Sequence, residues 1–416
     1  MLGRIAINGF KSIVAQAVEL GRLNVFVGAN GAGKSVVLEA IGLISAAAEG
    51  RVDDATLLRR GVRPGVPTLY KNAFADDPIP RLINVEARSA EEPPAVYNVS
   101  LDNPIRSGNT QWRFAGETVA LGAGKRPKKY VTRSVHSAWL WDERGRSHAI
   151  ELQDLGRSVA DAPNPFRKTP PAVRALLARL RAFVIYDPQT PVLRGISSET
   201  GPLPPVGING GRFAEAVGEL LKQWKRLPPS AKERLWELLG WTDKFTIGRP
   251  SADLISPSIP VRDQIIRFRD RFMRPRRSMR AGRNVLSAYD DSEGALYVLF
   301  AFTLLFHPNT PPSFAIENVD HALHPRLARG LVSLLADYAG EADKQILLTT
   351  HNPLVLDALD LSNDEVRLFT VDRDKKGHTI VRRIEYTAAL AKATASGLTL
   401  SQMWTQGLIG GVPNIL

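Results

Sequence analysis

Residues 28–35, Gly28-Ala-Asn30-Gly31-Ala32-Gly33-Lys34-Ser35, fit the spacing GxxxxGK[ST]. Those residue types at that spacing suit the binding of a nucleoside triphosphate. Gly28 and Gly33 let the backbone curl so that several amide N–H groups converge on a phosphate. A helix beginning at Lys34 adds the positive end of its dipole. The Lys34 ammonium reaches the β- and γ-phosphates, and the Ser35 hydroxyl is a Mg2+ ligand. Asn30, Gly31, Ala32, Gly33, Lys34 and Ser35 are therefore the candidate cradle for ATP and Mg2+.

Such a loop works only between a strand and a helix. Leu23 to Val27 reads as a buried strand, and Lys34 to about Ala48 as a helix. Arg4–Asn8 and Gln16–Leu20 read as strands ahead of it. The runs Leu82–Ala87, Ala95–Ser100 and Thr110–Phe114 alternate like half-buried antiparallel strands between Pro- and Gly-rich pieces. Helices are predicted over Thr169–Arg181, Phe213–Lys225, Ser230–Leu239, Asp263–Met273 and Ala295–Phe306, with a buried strand at Phe183–Tyr186. The end of the chain alternates strand and helix: Phe314–Glu317, Arg326–Tyr338, Gln345–Thr350, Pro353–Ala358 and Val366–Val371. That alternation predicts a parallel α/β sheet.

The 416 residues suffice for two or three domains, or for one large domain with an insertion. The longest apolar run, Ala295 to Phe306, is too short to span a bilayer. Asn8, Lys11 and Gln16 break any secretory leader, and the absence of cysteine excludes disulfides and thiolate metal sites. The expectation is a cytoplasmic protein without a membrane partner. A net charge of +12 favours polyanions. Arg262 to Arg283 holds nine arginines and two aspartates, with Phe268 and Phe272 on an apolar stripe. Read as a helix, it is a candidate nucleic-acid contact, as is the cluster Lys125–Lys129.

Three further landmarks follow in order: Ser292-Glu293-Gly294 at the start of an apolar helix, Ser313-Phe-Ala-Ile-Glu317-Asn318-Val-Asp320-His-Ala-Leu-His324-Pro325, and Gln345-Ile-Leu-Leu-Thr-Thr-His351-Asn-Pro353. With Asn8-Gly-Phe10-Lys11-Ser12, they resemble the ATP-binding cassette (ABC) type ATPases of the SMC and OLD-like branch, within the AAA-type P-loop ATPases. The resemblance covers residues 1 to about 50 and about 285 to 372. It implies an ABC-ATPase head: an α/β fold with a mixed β-sheet, an antiparallel β lobe and an inserted, partly helical subdomain. The expected segments are 1–155, with the phosphate loop; 156–284, the insertion; 285–372, with signature, Walker B strand and switch histidine; and 373–416, an extension.

The same resemblance assigns roles. Lys11 and Ser12 belong to the nucleotide site. Ser292 and Gly294 form the signature that meets the γ-phosphate held by a second subunit, which implies a homodimer or higher oligomer. His351 senses the γ-phosphate. Family members end the Walker B strand with Asp-Glu, the first holding the Mg2+ shell and the second polarising water. Here the pair is Glu317-Asn318. Glu317 keeps a carboxylate for Mg2+, but Asn318 accepts no proton, and Asp320 or His321 stands at an unusual spacing for a substitute. A positioned base contributes about 10²–10⁴-fold, so slow or partner-gated hydrolysis is expected.

The insertion lacks SMC-type coiled coils, and the 65 residues after His351 are too few for the nuclease domain of OLD proteins. Asp372-Arg-Asp374 followed by Lys-Lys-Gly377 reads as a hairpin turn. The chain therefore resembles ATPases of bacterial anti-phage systems such as Septu and PARIS, in which a separately encoded nuclease or toxin is the effector. The alternatives are a stand-alone DNA repair or recombination ATPase, and a structural protein that ATP clamps without hydrolysis. The apolar tail from Leu398 either docks a partner through Trp404 or closes its own domain.

Overall fold

The structure is a computed structural model and describes residues 1–63, 65, 67–102, 112–124, 126–152, 154–200, 205–252, 254–261, 264–273 and 284–411. Among them, the central sheet has six strands in the spatial order Val184–Tyr186, Ser313–Ile316, Gln345–Thr350, Leu23–Val27, Val366–Arg373 and Thr379–Ile384. The first five run parallel, and the last returns antiparallel through a turn that carries Asp374 and Gly377. Residues of all four expected segments contribute strands to this sheet. The parallel strands are buried almost throughout because both faces are covered.

One face turns Phe26, Ala315, Leu347, Phe369 and Val371 toward the helices Lys34–Glu49 and Pro171–Ala182. Beyond those helices lies an antiparallel sheet, with eight strands among the described residues, running from Ile13–Glu19 at one edge to Ser147–Ile150 at the other. The opposite face turns Val25, Val27, Phe314, Ile316, Ile346 and Leu348 toward the helices Phe213–Lys222, Pro229–Leu239, Glu293–Phe306 and Pro325–Tyr338. The period-2 alternation of each strand thus feeds two separate cores. The phosphate-loop helix is the filling between two sheets, which is why Val37 through Ala48 is buried almost without a break.

Gln345 joins the two sheets. Its Nε2 donates to the carbonyls of Leu2 (2.7 Å) and Gly21 (2.8 Å). Its Oε1 accepts from the Leu2 N–H (3.0 Å) and the Ser313 hydroxyl (3.1 Å). A fully buried amide with all four valences filled fixes one register between the sheets.

Two expectations are corrected. Of the helix expected over Asp263–Met273, the described residues 264–273 form none: Ile265–Asp270 is the middle strand of a small antiparallel sheet between Thr242–Gly248 and Val285–Ser287. The residues alternate, with Ile266 and Phe268 buried and Arg267 and Arg269 outward, and pairing on both sides decides for the strand. The arginine helix proposed for nucleic acid is therefore absent over these residues. Arg269 is held by Asp243 through two hydrogen bonds (2.7 and 2.8 Å), while Arg262 and Arg274–Arg283 lie outside the described residues, as does Lys125. Second, Pro353–Ala358 is a 3-10 turn rather than an α-helix.

The tail docks on its own chain: Met403 and Trp404 enter the core behind the central sheet, and the Gly411 N–H donates to Asp372 at 2.9 Å. Among the described residues, no helix is long and apolar enough to cross a membrane.

Replacing Gln345 by Leu keeps the volume but removes both hydrogen bonds to the buried Leu2 main chain and one of the two side-chain bonds to the Gly21 carbonyl, which keeps the Asn24 amide. Stability should fall by about 3 kcal/mol, read as a shift of the urea unfolding midpoint at unchanged slope.

Candidate nucleotide-binding site

The parallel strands end at one edge of the sheet, and the shared direction of their termini collects the polar side chains there. The loop after Val27 is tight: a Cβ on Gly28 would lie 2.2 Å from the Val371 carbonyl oxygen, and one on Gly33 2.2 Å from the Thr379 hydroxyl. Gly33 also has φ +109°, which a larger residue resists. These two glycines exist because strand Val366–Arg373 and its hairpin crowd the loop.

Lys34, mostly buried, donates to the carbonyls of Gly28 (2.8 Å) and Ala29 (3.0 Å). Burial lowers its pKa, and the charges of Asp320 and Glu317 oppose that shift. The Ser35 hydroxyl hydrogen-bonds the Glu317 carboxylate. Glu317 follows strand Ser313–Ile316, and its N–H donates to the Tyr186 carbonyl at 2.8 Å. Asn318 adopts φ +49°, and its N–H donates to the Thr349 hydroxyl at 2.9 Å. Asp320 accepts from the Thr350 hydroxyl at 2.6 Å, and its second oxygen lies 3.7 Å from His351 Nε2. The His351 side chain is 54% exposed, so the ring stands at the mouth of the site.

Lys11 and Ser12 flank the loop. Lys11 Nζ pairs with Glu39 of the phosphate-loop helix at 2.6 Å and lies 4.9 Å from the centre of the Tyr70 ring. Ser12 Oγ meets the Thr379 hydroxyl at 2.8 Å, and that hydroxyl also reaches the Ala32 carbonyl at 2.8 Å. Arg373 Nε donates to the Gly31 carbonyl at 3.0 Å.

The structure thus draws Lys11, Ser12, the loop, Lys34, Ser35, Glu317, Asn318, Asp320 and His351 into one neighbourhood. Ser292 and Gly294 make other contacts. They start the helix Glu293–Phe306, where Gly294 faces the Ala322 carbonyl and Leu323 and Leu327. Just before them, the buried Asp291 accepts from the Ser292 N–H at 2.6 Å, and burial pushes its carboxyl up to about 7.

Sequence reasoning missed Glu39, Arg63, Asp187 and Thr379. Glu39 also binds Arg63 Nε at 3.1 Å, and Arg63 lies 3.6 Å from Glu317. A glutamate inside an otherwise apolar buried helix was the available signal for Glu39; Thr379 carried none.

Ser35 and Glu317 supply hard oxygens, which suit Mg2+. This ion keeps few protein ligands and fills its shell with water and substrate phosphate. Among the described residues no group of three or more His, Asp or Glu is placed to hold a metal alone.

The family described as "AAA domain, putative AbiEii toxin, Type IV TA system" matches residues 23–147 and 257–357, more than half of the chain. No curated protein sequence matches. A solved SMC head bound to the C-winged helix domain of ScpA is 14% identical with a TM-score of 0.51, covering 93% of this chain and 99% of its own. The SMC head domain of Thermotoga maritima gives 14% and 0.43, with 92% and 99% covered. An Smc head with an extended coiled coil, bound to the C-terminal domain of ScpA from Pyrococcus furiosus, gives 13% and 0.45, with 95% and 99% covered. The fold is that of an SMC-type ABC-ATPase head.

Two outcomes follow from this geometry. Lys34→Ala should weaken ATP binding at least about 100-fold in a fluorescent-nucleotide titration, since it removes the ammonium that a loop of this spacing directs to the β- and γ-phosphates. Asp291 keeps its proton in the folded state up to about pH 7 but releases it near pH 4 when unfolded. Folded protein therefore binds the extra proton in that window, and stability falls as pH rises from about 4 to about 7. Asp291→Asn should flatten this slope and be more stable than wild type at pH 8 by at least about 1 kcal/mol, measured by urea unfolding across pH.

Proposed function

The chain belongs to this AAA-domain family, and from that premise we propose a nucleotide-gated switch: a subunit that binds Mg·ATP, pairs with a second copy around the nucleotide and controls a separate effector. The observation that carries the reading is the meeting of Ser35 and Lys34 with Glu317 and Asp320 at one edge of the sheet. Amides of the loop and the Lys34 ammonium bind the triphosphate, Ser35 and Glu317 hold Mg2+, and His351 stands where a γ-phosphate would be sensed. The ion neutralises phosphate charge when bound.

Ser292 and Gly294 belong to the second half of a composite site. They begin the helix Glu293–Phe306, whose N-terminal end suits an anion. A head-to-head dimer places them over the partner's nucleotide. Asn318 at the place of the usual glutamate supports slow hydrolysis and a long-lived ATP-bound dimer.

The effector is proposed to be a separately encoded nuclease or toxin in anti-phage defence, as in Septu, PARIS and other OLD-like systems. The family description names a toxin of a type IV toxin–antitoxin system, and the SMC head of like fold is a protein caught with a separate partner domain. The segments 1–155, 156–284, 285–372 and 373–416 remain the proposed division, with cytoplasmic location.

Size-exclusion chromatography with light scattering should show a dimer mass with ATP and Mg2+, and a monomer mass for Lys34→Ala under the same conditions. DNA-stimulated turnover instead would favour a repair-type ATPase. Asn318→Glu should raise kcat at least about tenfold, read by phosphate release; an unchanged or lower rate defeats the account of slow hydrolysis.

A further inference from the structure

The residue after strand Val184–Tyr186 is Asp187. Val184, Ile185 and Tyr186 stand in register with Phe314, Ala315 and Ile316, so Asp187 and Glu317 are the first residues beyond two neighbouring parallel strands. Together with Asn318 they line one cavity of about 700 Å³, into which Arg63 and Asn209 also face. The backbone of Asp187 is pinned on both sides. Its N–H donates to the Ile208 carbonyl at 3.0 Å, and the Pro188 carbonyl accepts from the Tyr297 hydroxyl at 2.5 Å. Burial and the Glu317 charge raise the Asp187 carboxyl above the usual range, while His321 and Arg63 oppose that shift.

The other carboxylate near Lys34 is committed elsewhere. One oxygen of Asp320 takes the Thr350 hydroxyl, and the other faces His351. Glu317 is engaged with Ser35. Asp187 carries no such bond among the described side chains, opens on the cavity and sits on a rigid strand end.

We propose that Asp187 is the catalytic base of this site: its carboxylate orients the water that attacks the γ-phosphate and accepts its proton. The inference rests on the ATPase reading. In the step, the water oxygen bonds to the γ-phosphorus as the bond to the bridging oxygen breaks. That electron pair leaves with ADP, and the water proton passes to the Asp187 carboxylate and then to the released phosphate or solvent. A carboxylate from the adjacent strand thereby stands in for the one lost at position 318, and turnover stays slow because it does so less efficiently than a Glu at 318.

The test compares wild type, Asp187→Asn, Asn318→Glu and the double variant, each checked for folding by thermal melt. Asp187→Asn should bind ATP within about threefold of wild type and still form the ATP-dependent dimer, yet hydrolyse about 100-fold more slowly in single-turnover assays. In the Asn318→Glu background the same change should cost less than about threefold, because Glu at 318 then takes the proton. The proposal is overturned if Asp187→Asn hydrolyses at the wild-type rate, if it loses ATP affinity together with turnover, or if the loss is undiminished beside Asn318→Glu. A wild-type protein that binds no ATP fails the ATPase reading itself, and shows this before any variant is compared.

Discussion

A largely buried ammonium facing two carboxylates sets the terms for the rest of the molecule. Lys34 cannot stay charged in a low-dielectric edge without compensation. The carbonyls of Gly28 and Ala29 and the charges of Glu317 and Asp320 provide it. Those groups come from strands that are not neighbours of one another: Leu23–Val27 and Ser313–Ile316 lie on either side of Gln345–Thr350. The charges meet only because all three strands run the same way and stop at the same edge. Parallel order is thus an electrostatic requirement of the site, and it obliges helices to cover both faces of the sheet.

That cover is built from helices of different character. Lys34–Glu49 is buried on nearly all sides between two sheets, whereas Pro325–Tyr338 is buried along one face only. Gln345 clamps the first sheet to the second by two hydrogen bonds to the Leu2 main chain and to their connection by one to Gly21, so the antiparallel lobe is a fixed wall behind the phosphate helix rather than a loose appendage. The wall also brings Lys11 and Ser12 to the loop, since the strand Leu2–Phe10 belongs to it.

The elements nearest the chemistry were legible in the sequence because local signals agreed there. Glycines, a strand and a helix coincide at residues 23–49, and apolar runs ending in Glu317 and His351 announce buried strands with polar tips. The segment around Phe268 was misread because Ile and Phe at close spacing fit a helix stripe as well as a paired strand. The partner strands Thr242–Gly248 and Val285–Ser287 decide between them, and local sequence does not contain that pairing. Asp187 was invisible as a site residue for a similar reason. Its place beside Glu317 is set by strand order across more than a hundred residues of chain.

The short stretch from Asp187 to Thr190 links the two halves of the proposed composite site within one subunit. Asp187 borders the Glu317 cavity, the Pro188 carbonyl holds the Tyr297 hydroxyl, and Thr190 hydrogen-bonds Glu293. Tyr297 and Glu293 lie on the helix that begins beside Ser292 and Gly294, and the Tyr297 hydroxyl is also 3.0 Å from His321, just beyond Asn318. A shift of this loop cannot move Asp187 without loading that helix, because the contacts at Pro188 and Thr190 are direct hydrogen bonds to it. The segment that would meet the partner's nucleotide is therefore braced against the segment that faces this subunit's own. In the proposed dimer such bracing would give the two nucleotide sites a physical means of reporting on each other, provided ATP binding favours one loop position over another.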